Sequence, residues 1–445
     1  MSKKYRPYEP RQGYLLPPTL QDWLPEDHLA YFVLDVVESL DLRALTAPYE
    51  EEERGQPPYD PRMMLALLLY GYCVGVPSSR KIEQKTYEDV AFRIISADQH
   101  PDHTRISEFR RQHLSALRTL FVQVLKLCRR AGLVSLGRVA LDGTKVKANA
   151  SKHKAMSYGR MQEDEVRFRA KVKELLAAAE AADRSDEKHE RLHGRRQLPE
   201  DLRRAQTRLT RIRQLKAELE AEAKNQHNDD DAGPPPATTE LPSHRIPTDK
   251  NGTPTPKAQR NFTDPESRIQ KGADGFVQGY NCQAAVDEDH QIVVAQAVTN
   301  QPPDVEHLAP LVDQVRANLG RKPKQFLADS GYYSEANIAW LERRNIDPFI
   351  AVERSKEHRP KTTPRGRIPN GLTTKQRMAR KLATRRGTAV YSKRKVIPEP
   401  VFGQIKQARG FRQFLMRGLD KVRAEWSLIT TTHNLLKLYR AVCFA

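Results

Sequence analysis

The sequence predicts an α/β protein in which a mixed β-sheet with flanking helices follows an all-helical region. Three observations carry this prediction. Apolar residues recur at helical spacing in the first 132 residues, and no strand-like run interrupts them. Strand-like apolar runs begin at residue 138 and alternate with helical segments after residue 300. A highly charged segment with helical periodicity separates the first strand from the others, at about residues 155–260.

The 445-residue chain is strongly basic, with 75 Lys and Arg residues against 56 Asp and Glu residues and a formal net charge of +19. This length is sufficient for two or three domains. Such an excess of positive charge is typical of proteins that bind polyanions, because neutralised phosphates release condensed counterions. A well-solvated basic surface would give the same excess, so charge alone leaves both interpretations open.

The cysteines and the apolar runs indicate a reducing compartment and no membrane partner. The four cysteines form no CxxC pair or other metal-ligand spacing, and we expect them to be small buried hydrophobic residues. The N-terminal segment lacks the apolar core of a signal peptide, and the longest apolar run, residues 63–76, is too short to span a bilayer. We therefore expect a cytoplasmic protein.

The helical region begins with start signals followed by apolar stripes. Residues 25–27 are predicted to open a helix with apolar positions from Leu29 to Val37. Pro61 is predicted at the first position of a buried helix that includes the 63–76 run. Shorter helices are predicted at residues 79–85 and 87–96, and a long helix capped by Thr104 is predicted to end near Gly132.

The long helix carries several basic side chains, among them Arg105, Arg110 and Arg111. Short helices, a turn and then a basic helix are typical of a helix-turn-helix DNA reader, in which these arginines would contact DNA. An ordinary bundle with a charged outer face would give the same pattern. The sequence alone does not decide between the two.

A change in character at Arg138 marks the first strand, which carries Asp142 near its middle. Two further strands, residues 276–287 and 291–299, flank a short acidic turn and are predicted to form an antiparallel hairpin. Helices and strands are then predicted to alternate at residues 304–319, 324–329, 335–344 and 348–352. The order β-β-β-α-β-α-β-α is that of a ribonuclease H-like domain.

The segment between the first two strands is predicted to be a helical hairpin followed by a linker. Apolar residues at helical and near-heptad spacing define two helices, and Gly194 and Pro199 mark the break between them. Alternating charges on these helices are more typical of a solvated face than of a binding surface. The Asp-, Pro- and Thr-rich tract at residues 228–257 indicates a flexible linker.

Three acidic residues occupy positions that suit a metal site. Asp142 and Asp329 lie at or near the ends of buried-looking strands, where a carboxylate is costly unless it binds a cation or is well hydrogen-bonded. Glu399 opens a helix whose N-terminus favours a carboxylate. Together they would suit two Mg²⁺ (or Mn²⁺) ions, which clamp the attacking and leaving oxygens of a phosphoryl displacement. We therefore predict Asp142, Asp329 and Glu399 as catalytic and metal-binding residues.

The surroundings of Glu399 are unusually basic. Residues 354–395 contain 15 Lys and Arg residues and one acid, and they look disordered from the sequence. Such a stretch would follow a DNA backbone towards the metal site. Lys406 lies seven residues after Glu399, so two helical turns would place it on the same face and within reach of a phosphate. An ordinary surface lysine is the alternative for this residue.

Several long segments, in order along the chain, resemble the bacterial insertion-sequence transposases of the ribonuclease H-like DDE superfamily. The resemblance is closest to the group related to the IS-five kind, which carries a helical insertion after the first strand. The matching segments are PYDPRMMLALLLYGY from Pro58, DHTRISEFRRQH from Asp102, LDGTKVKANAS from Leu141, YNCQAAVD from Tyr280, ADSGYY from Ala328, EPVFGQIK from Glu399 and RGLDKVRAEW from Arg417. Together they run from the N-terminal region to the last helix, and only the insertion matches weakly.

The resemblance implies that Asp142 and Asp329 are the metal-binding aspartates and that Glu399 is the third member. It also implies a Tyr–Arg–Glu–Lys pattern in which Tyr and Arg position the DNA end and Lys contacts phosphate. Tyr391, Arg394, Glu399 and Lys406 fit this pattern.

Two departures from the family pattern surround Glu399. Four residues separate Arg394 from Glu399 where the family usually has three, so Lys395 is an alternative for the arginine role. Pro398 stands where an aliphatic residue is expected, and it removes an N–H immediately before the third carboxylate.

The implied activity is that of a DNA transposase. It would bind double-stranded DNA at terminal inverted repeats, cleave it, and join the 3′-hydroxyl ends to target DNA, acting as a homodimer that is nucleoid-associated when bound. The domains would be a helical DNA-binding domain (1–132), the first strand of the catalytic domain (133–154), the hairpin insertion and linker (155–260) and the rest of the catalytic domain (261–445). Two alternatives are a ribonuclease H-like nuclease without strand transfer and an inactive DNA-binding descendant.

Overall fold

The computed structural model describes residues 19–50, 57–186, 197–231, 241–272, 275–353 and 363–443. It has the predicted mixed α/β architecture, with helices preceding and flanking a mixed sheet. None of the helices in these described ranges combines the length and the apolar character that crossing a bilayer requires.

In the described part of the chain, seven α-helices precede the sheet: α1 (Leu29–Ser39), α2 (Arg43–Glu50), α3 (Pro61–Cys73), α4 (Ser79–Glu88), α5 (Val90–Ile95), α6 (His103–Gln112) and α7 (Leu114–Arg130). Helix α3 confirms the buried helix predicted from the 63–76 run. Pro61 occupies its first turn, and the Asp60 carboxylate accepts a hydrogen bond from the Arg62 amide at 2.7 Å. Almost every α3 side chain is buried, so this helix is the centre of the helical region.

The long helix predicted at residues 104–132 is wrong in two respects. Its start is capped by Asp102 instead of Thr104, and the chain breaks at His113 into α6 and α7. The break has a tertiary cause, because His113 is buried and its ring is hydrogen-bonded to the Tyr49 hydroxyl at 2.9 Å. The first helix also starts later than predicted, at Leu29 after an N-cap at His28.

The insertion contains the two predicted helices, α8 (Tyr158–Asp186) and α9 (Gln197–Asp231). Short antiparallel strands β2 (Ala155–Ser157) and β3 (Gln259–Asn261) pair at their base. Glu165 of α8 joins the helices by ion pairs with Arg213 and Lys216 of α9, at 3.1 and 3.0 Å. Gly194 lies outside the described residues, and Pro199 lies within the first turn of α9.

The predicted flexible linker is wrong for residues 241–257. There Ile246 is buried, and the Thr255 amide donates to the Pro247 carbonyl at 2.8 Å. Immediately afterwards, the Tyr158 amide donates to the Ala258 carbonyl at 2.7 Å. The tract is mostly polar, which suggested a linker, but Ile246 packs in a small core with α8 and α9 and anchors it there.

The main sheet is built around β1 (Arg138–Lys147), which pairs antiparallel with β5 (Gly275–Asp287) and parallel with β7 (Gln325–Ala328). Strand β8 (Asp347–Ile350) pairs parallel with β7. Strands β4 (Arg268–Gly272) and β6 (Val293–Thr299) both pair antiparallel with β5. The β5–β6 pair confirms the predicted hairpin, and the whole predicted sequence of strands after residue 138 is present.

The remaining helices are α10 (Leu308–Leu319), α11 (Glu335–Arg343), α12 (Thr374–Ala383), α13 (Arg385–Val396), α14 (Glu399–Gly403) and α15 (Leu419–Cys443). Helices α12 and α13 correct the prediction that the basic stretch is disordered, although residues 354–362 lie outside the described ranges. Thr373 and Gln376 form a reciprocal capping box at the start of α12, and Met378 and Val390 are buried. A few apolar anchors are therefore enough to fold a stretch dominated by Lys and Arg.

One continuous hydrophobic core joins the N-terminal helices to the sheet. Helix α15 forms the link, because its Asn434 carbonyl contacts the Cys128 thiol of α7 at 3.7 Å and the Asn434 side chain bonds to both the amide and the carbonyl of Val293 in β6, each at 2.9 Å. Trp426 and His433 of this helix are buried in the core. Cys73, Cys128 and Cys282 are buried free thiols as predicted, whereas Cys443 is half-buried. The division of the chain into domains stays a prediction.

Candidate active site

The strand register places two of the predicted acids side by side. In the parallel pair β1–β7, Ala140 is opposite Leu327. Asp142 and Asp329 each lie two residues beyond this pair, in the same direction along adjacent strands. Both aspartates therefore stand at one edge of the sheet, with Asp142 still inside β1 and Asp329 immediately after β7.

Asp142 is a desolvated carboxylate with only partial compensation. One of its oxygens accepts a hydrogen bond from the Gly143 amide at 2.9 Å. Burial raises the pKa of Asp142 to about 6, while Arg394 and the Gly143 N–H oppose the rise. The negative charges of Asp329 and Glu399 raise this pKa further. A cation at this position would be stabilising.

Asp329 shapes the turn that follows β7. Its carboxylate accepts a hydrogen bond from the Gly331 amide at 2.8 Å and so caps a short 3₁₀ turn, Ser330–Tyr332. A Cβ atom at Gly331 would lie 3.0 Å from an Asp329 carboxylate oxygen. The missing side chain at Gly331 therefore lets the backbone approach the carboxylate closely.

Arg394 connects the third acid to the first. One of its terminal nitrogens lies 3.8 Å from a carboxylate oxygen of Asp142, and the other lies 3.9 Å from a carboxylate oxygen of Glu399. Glu399 is the first residue of α14, and 55% of its side chain is exposed, against 19% for Asp142. The structure thus brings the three predicted acids into one region at the sheet edge, with a guanidinium between two of them.

The geometry distinguishes between the two candidates for the arginine role. Arg394 faces the carboxylates with 13% of its side chain exposed, whereas Lys395 is exposed on α13. Pro398 is the N-cap residue of α14, and its carbonyl accepts the first hydrogen bond of that helix from the Phe402 amide at 3.1 Å.

Tyr391 and Lys406 lie on either side of these residues in the chain. The pKa of the half-buried Tyr391 is raised, mainly by burial. The charges of Arg394, which lowers this pKa, and of Asp329 and Asp142, which raise it, also act on Tyr391, so it lies in the electric field of the acidic site. Lys406 lies in a π-helical turn, residues 404–408, which changes the spacing expected from an α-helix. Its ammonium group donates a hydrogen bond to the Lys145 carbonyl of β1 at 2.8 Å.

The three arginines predicted to contact DNA occupy different environments. Arg105 and Arg111 are exposed on α6. Arg110 is buried, and its guanidinium donates to the Pro77 carbonyl at 2.8 Å and to the Ser79 hydroxyl at 3.3 Å. This burial argues against a direct DNA contact by Arg110, and we do not propose one.

The carboxylate oxygens of the three acids are the kind of ligand that a hard cation prefers, and they are partly desolvated. Across the described ranges, however, no group of three or more His, Cys, Asp or Glu side chains is arranged closely enough to hold a metal ion. Arg394 instead supplies the positive charge between Asp142 and Glu399. Joint metal binding by the acids would require these side chains to rearrange around the guanidinium.

Five polar side chains near the aspartates were not singled out from the sequence: Lys145, Asn281, Gln283, Asp304 and Tyr332. They form a hydrogen-bonded network between β1, β5 and the turn after β7. One sequence signal was available. Asn281 and Gln283 stand two residues apart on strand β5, so their side chains share one face of the sheet.

Comparison with known protein families yields two matches. The family described as "Transposase DDE domain" matches residues 240–435, a range that includes Asp329 and Glu399. The family described as "Transposase domain (DUF772)" matches residues 18–112, which cover α1 to α6. Neither a curated protein nor a solved structure matches the chain. The two family matches lie in separate parts of the chain and agree with each other: the chain belongs to the DDE-type insertion-sequence transposases.

Proposed function

We propose that the protein cleaves DNA at the terminal inverted repeats of an insertion sequence and joins the resulting 3′-hydroxyl ends to target DNA. Asp142, Asp329 and Glu399 are the proposed catalytic carboxylates. The observation that carries the proposal is their convergence: Asp142 and Asp329 each lie two residues beyond the last paired residues of the parallel strands β1 and β7, and Glu399 shares Arg394 with Asp142. Family membership makes DNA the substrate, and the net charge of +19 supports binding to a polyanion.

A ribonuclease H-like catalytic domain is part of this proposal. In its favour, β1 is central, with an antiparallel hairpin on one side and the parallel strands β7 and β8 on the other. Asp142, within β1, and Asp329, directly after β7, then stand at the same edge of this sheet. Helix α14 brings Glu399 to that edge from the far end of the chain.

Asp142, Asp329 and Glu399 are the residues that would hold two Mg²⁺ or Mn²⁺ ions. When bound, such ions neutralise developing charge on the attacking and leaving oxygens of a phosphodiester. The chain's own residues orient the substrate. Arg394 and Tyr391 are proposed to hold the DNA end beside the acids. Lys406, fixed to the β1 backbone, is proposed to contact a phosphate when DNA is present.

The N-terminal helices are proposed to bind the inverted repeat, through Arg105 and Arg111 on the exposed face of α6. The family resemblance also suggests a homodimer at the synapsed ends. We propose a cytoplasmic location, with association to the nucleoid through DNA. The DNA-binding surface, the homodimer and the location are proposals that go beyond membership of the family, and each can be tested directly.

The decisive experiment uses full-length protein and a duplex carrying the inverted repeat found beside the coding region. In Mg²⁺, the native protein should cut this duplex and should join a pre-cleaved 3′ end to a plasmid. Asp142→Asn, Asp329→Asn and Glu399→Gln should each abolish both reactions and retain most of the DNA affinity. Near-native cleavage by one of these variants would exclude that residue from the catalytic set.

The same assay separates the alternatives. A nuclease without strand transfer would cut the repeat and give no joined product from pre-cleaved ends. An inactive descendant would bind the repeat equally well in EDTA and would give no cleavage with any divalent ion. Either outcome would contradict the proposed transposition chemistry without altering the family assignment.

A further inference from the structure

A buried polar network lies beneath the two aspartates, and one carboxylate organises it. We propose that Asp304 is a positioning residue that fixes Asp142 and Asp329 relative to one another through Gln283 and Tyr332. This inference rests on the proposed function, because it assigns a role within the same site. Asp304 itself is not placed among the catalytic residues.

Asp304 is the common acceptor of the network. One of its carboxylate oxygens accepts hydrogen bonds from the side-chain amides of Asn281 at 2.7 Å and Gln283 at 2.8 Å. The same oxygen lies 3.4 Å from the Lys145 ammonium group. Three donors from two strands therefore converge on one anionic oxygen, and charge-assisted hydrogen bonds of this kind are stronger than neutral ones.

This arrangement sets the orientation of Gln283. Its amide nitrogen donates to Asp304 and also to the Asn281 side-chain oxygen at 2.9 Å, so its amide oxygen must face the other way. There it accepts a hydrogen bond from the Tyr332 hydroxyl. Gln283 and Tyr332 are both fully buried, so an incorrect amide orientation would leave polar atoms without partners.

Gln283 and Tyr332 meet directly beside the backbone that carries Asp142. A Cβ atom at Gly143 would lie 2.5 Å from the Gln283 amide nitrogen and 3.2 Å from the Tyr332 hydroxyl. Only glycine at this position leaves room for the pair. The network is therefore in contact with β1 one residue after the first proposed catalytic aspartate.

On its other side, the network holds the turn that Asp329 caps. Tyr332 is the last residue of that turn. The Asn337 side chain donates to the Tyr332 carbonyl at 2.9 Å and to the Val305 carbonyl, next to Asp304, at 2.8 Å. Asp304 and the Asp329 turn are thus tied together through both backbone and side-chain contacts.

The third acid is connected through Lys145. The Lys145 ammonium group donates to the Pro302 carbonyl at 3.0 Å and faces Asp304, while the Lys145 carbonyl accepts from Lys406. Lys406 lies in the turn that continues the helix of Glu399. Asp304 therefore influences all three segments that carry the proposed catalytic acids.

An uncharged residue at position 304 should loosen this arrangement. Asp304→Asn keeps the shape of the side chain and one acceptor oxygen, but it loses the negative charge that holds Lys145 and strengthens the three converging hydrogen bonds. Residues that orient metal ligands typically change metal affinity or activity by about 10- to 100-fold when they are replaced. We expect weaker divalent-cation binding, with cleavage recovered at high cation concentration.

The test measures Mn²⁺ binding to the full-length protein by electron paramagnetic resonance, beside the Mn²⁺ dependence of cleavage. Asp304→Asn and Tyr332→Phe should each weaken Mn²⁺ binding by about 10-fold and raise the half-maximal Mn²⁺ concentration for cleavage to match. Asp313→Asn is the matched control, because this α10 aspartate pairs with Arg344 at 3.8 Å instead of joining the network. It should behave as the native protein does.

Tyr332→Phe is the milder variant, because it removes one hydroxyl group and keeps the aromatic ring and the backbone turn. Urea unfolding of both variants checks that they are folded. Native-like Mn²⁺ binding by a folded Tyr332→Phe or Asp304→Asn variant, within twofold, overturns the positioning role. Asp142→Asn, measured in parallel, distinguishes a failure of the positioning role from a failure of the proposed function. If Asp142→Asn retains Mn²⁺ binding and cleavage, Asp142 is excluded from the proposed catalytic set, and the failure lies in the proposed function and not in the Asp304 network.

Discussion

A terminal guanidinium nitrogen of Arg394 lies 3.8 Å from the carboxylate of Asp142, although 252 positions separate the two residues (394 − 142). The other terminal nitrogen reaches Glu399. Arg394 is thus the one side chain of the family's Tyr–Arg–Glu–Lys pattern that forms ion pairs with two of the three proposed catalytic acids in the described structure. Its loss should affect both acids.

Arg394→Gln should reduce cleavage at least tenfold, because it removes the charge that opposes protonation of Asp142 and releases Glu399. Arg394→Lys should recover only part of the activity, since an ammonium group cannot contact two carboxylates with the geometry of a guanidinium. Lys395→Gln is the matched control and should change the cleavage rate by less than about threefold. Equal loss from Arg394→Gln and Lys395→Gln would contradict a role specific to Arg394. The measurement is the initial cleavage rate at saturating DNA.

The raised pKa of Asp142 predicts a pH dependence of stability in EDTA. The folded protein holds a proton up to about pH 6, whereas the unfolded chain releases it near the ordinary value of 3.8. The stabilisation is therefore complete below pH 3.8 and is lost as pH rises to about 6, which lowers the free energy of unfolding by up to about 3 kcal/mol. Asp142→Asn should lack this loss and should be more stable than the native protein at pH 7. Urea unfolding at pH 4.5 and 7 tests this, and parallel pH profiles for the two proteins would contradict it.

The arginines of α6 predict a contrast between DNA affinity and stability. Replacing exposed Arg105 and Arg111 together by Ala should weaken DNA binding and reduce the salt slope of log K by about 2, one unit for each lost phosphate contact. Arg110→Ala should instead lower the free energy of unfolding by about 1–3 kcal/mol, because the Pro77 carbonyl loses its buried partner. Filter binding across a salt series and urea unfolding separate the effects. An unchanged salt slope in the double variant would rule out α6 as the DNA-contacting helix.

The sequence predicts the parts of this fold that depend on local pattern. The strand carrying Asp142, the β5–β6 hairpin and the strand preceding Asp329 all follow from apolar runs and turn residues. The errors arise where distant residues decide. At the break between α6 and α7, the His113 side chain is hydrogen-bonded to Tyr49. Arg110 is buried where its guanidinium donates to the carbonyl of Pro77, 33 positions earlier in the chain.

In the candidate site, too, the features that depend on local sequence pattern were predicted, and those that depend on distant residues were not. Its three acids were predicted because each stands within a strand, directly after a strand or at a helix start, and each matches a family motif. The Asp304 network was not, because it joins side chains from β1, β5, the loop before α10 and the turn after β7. No local periodicity marks such a junction. Only the alternation of Asn281 and Gln283 on β5 indicated polar groups on that face.

A buried acid of α15 binds two backbone amides of the segment between Lys406 and α15. Glu425 of α15 is almost completely buried, and its carboxylate accepts the Leu415 amide at 2.9 and 3.1 Å and the Met416 amide at 3.0 Å. This holds residues 411–418 against the end of β1, where the Phe414 amide donates to the Lys147 carbonyl at 2.9 Å. Glu425 therefore fixes the loop that connects the Glu399 helix to the core.

Glu425→Gln should lower the free energy of unfolding by about 1–3 kcal/mol, because the neutral side chain loses one of the two acceptors of the Leu415 amide and places an N–H₂ group beside that N–H. Glu425→Ala should cost more, since it also leaves a cavity and frees both amides. Asp420→Asn at the exposed start of α15 is the control and should stay within about 0.5 kcal/mol. Urea unfolding measures the stabilities, and hydrogen exchange at the Leu415 and Met416 amides reports the loop directly. If exchange at these amides stays as slow in Glu425→Ala as in the native protein, Glu425 does not hold the loop.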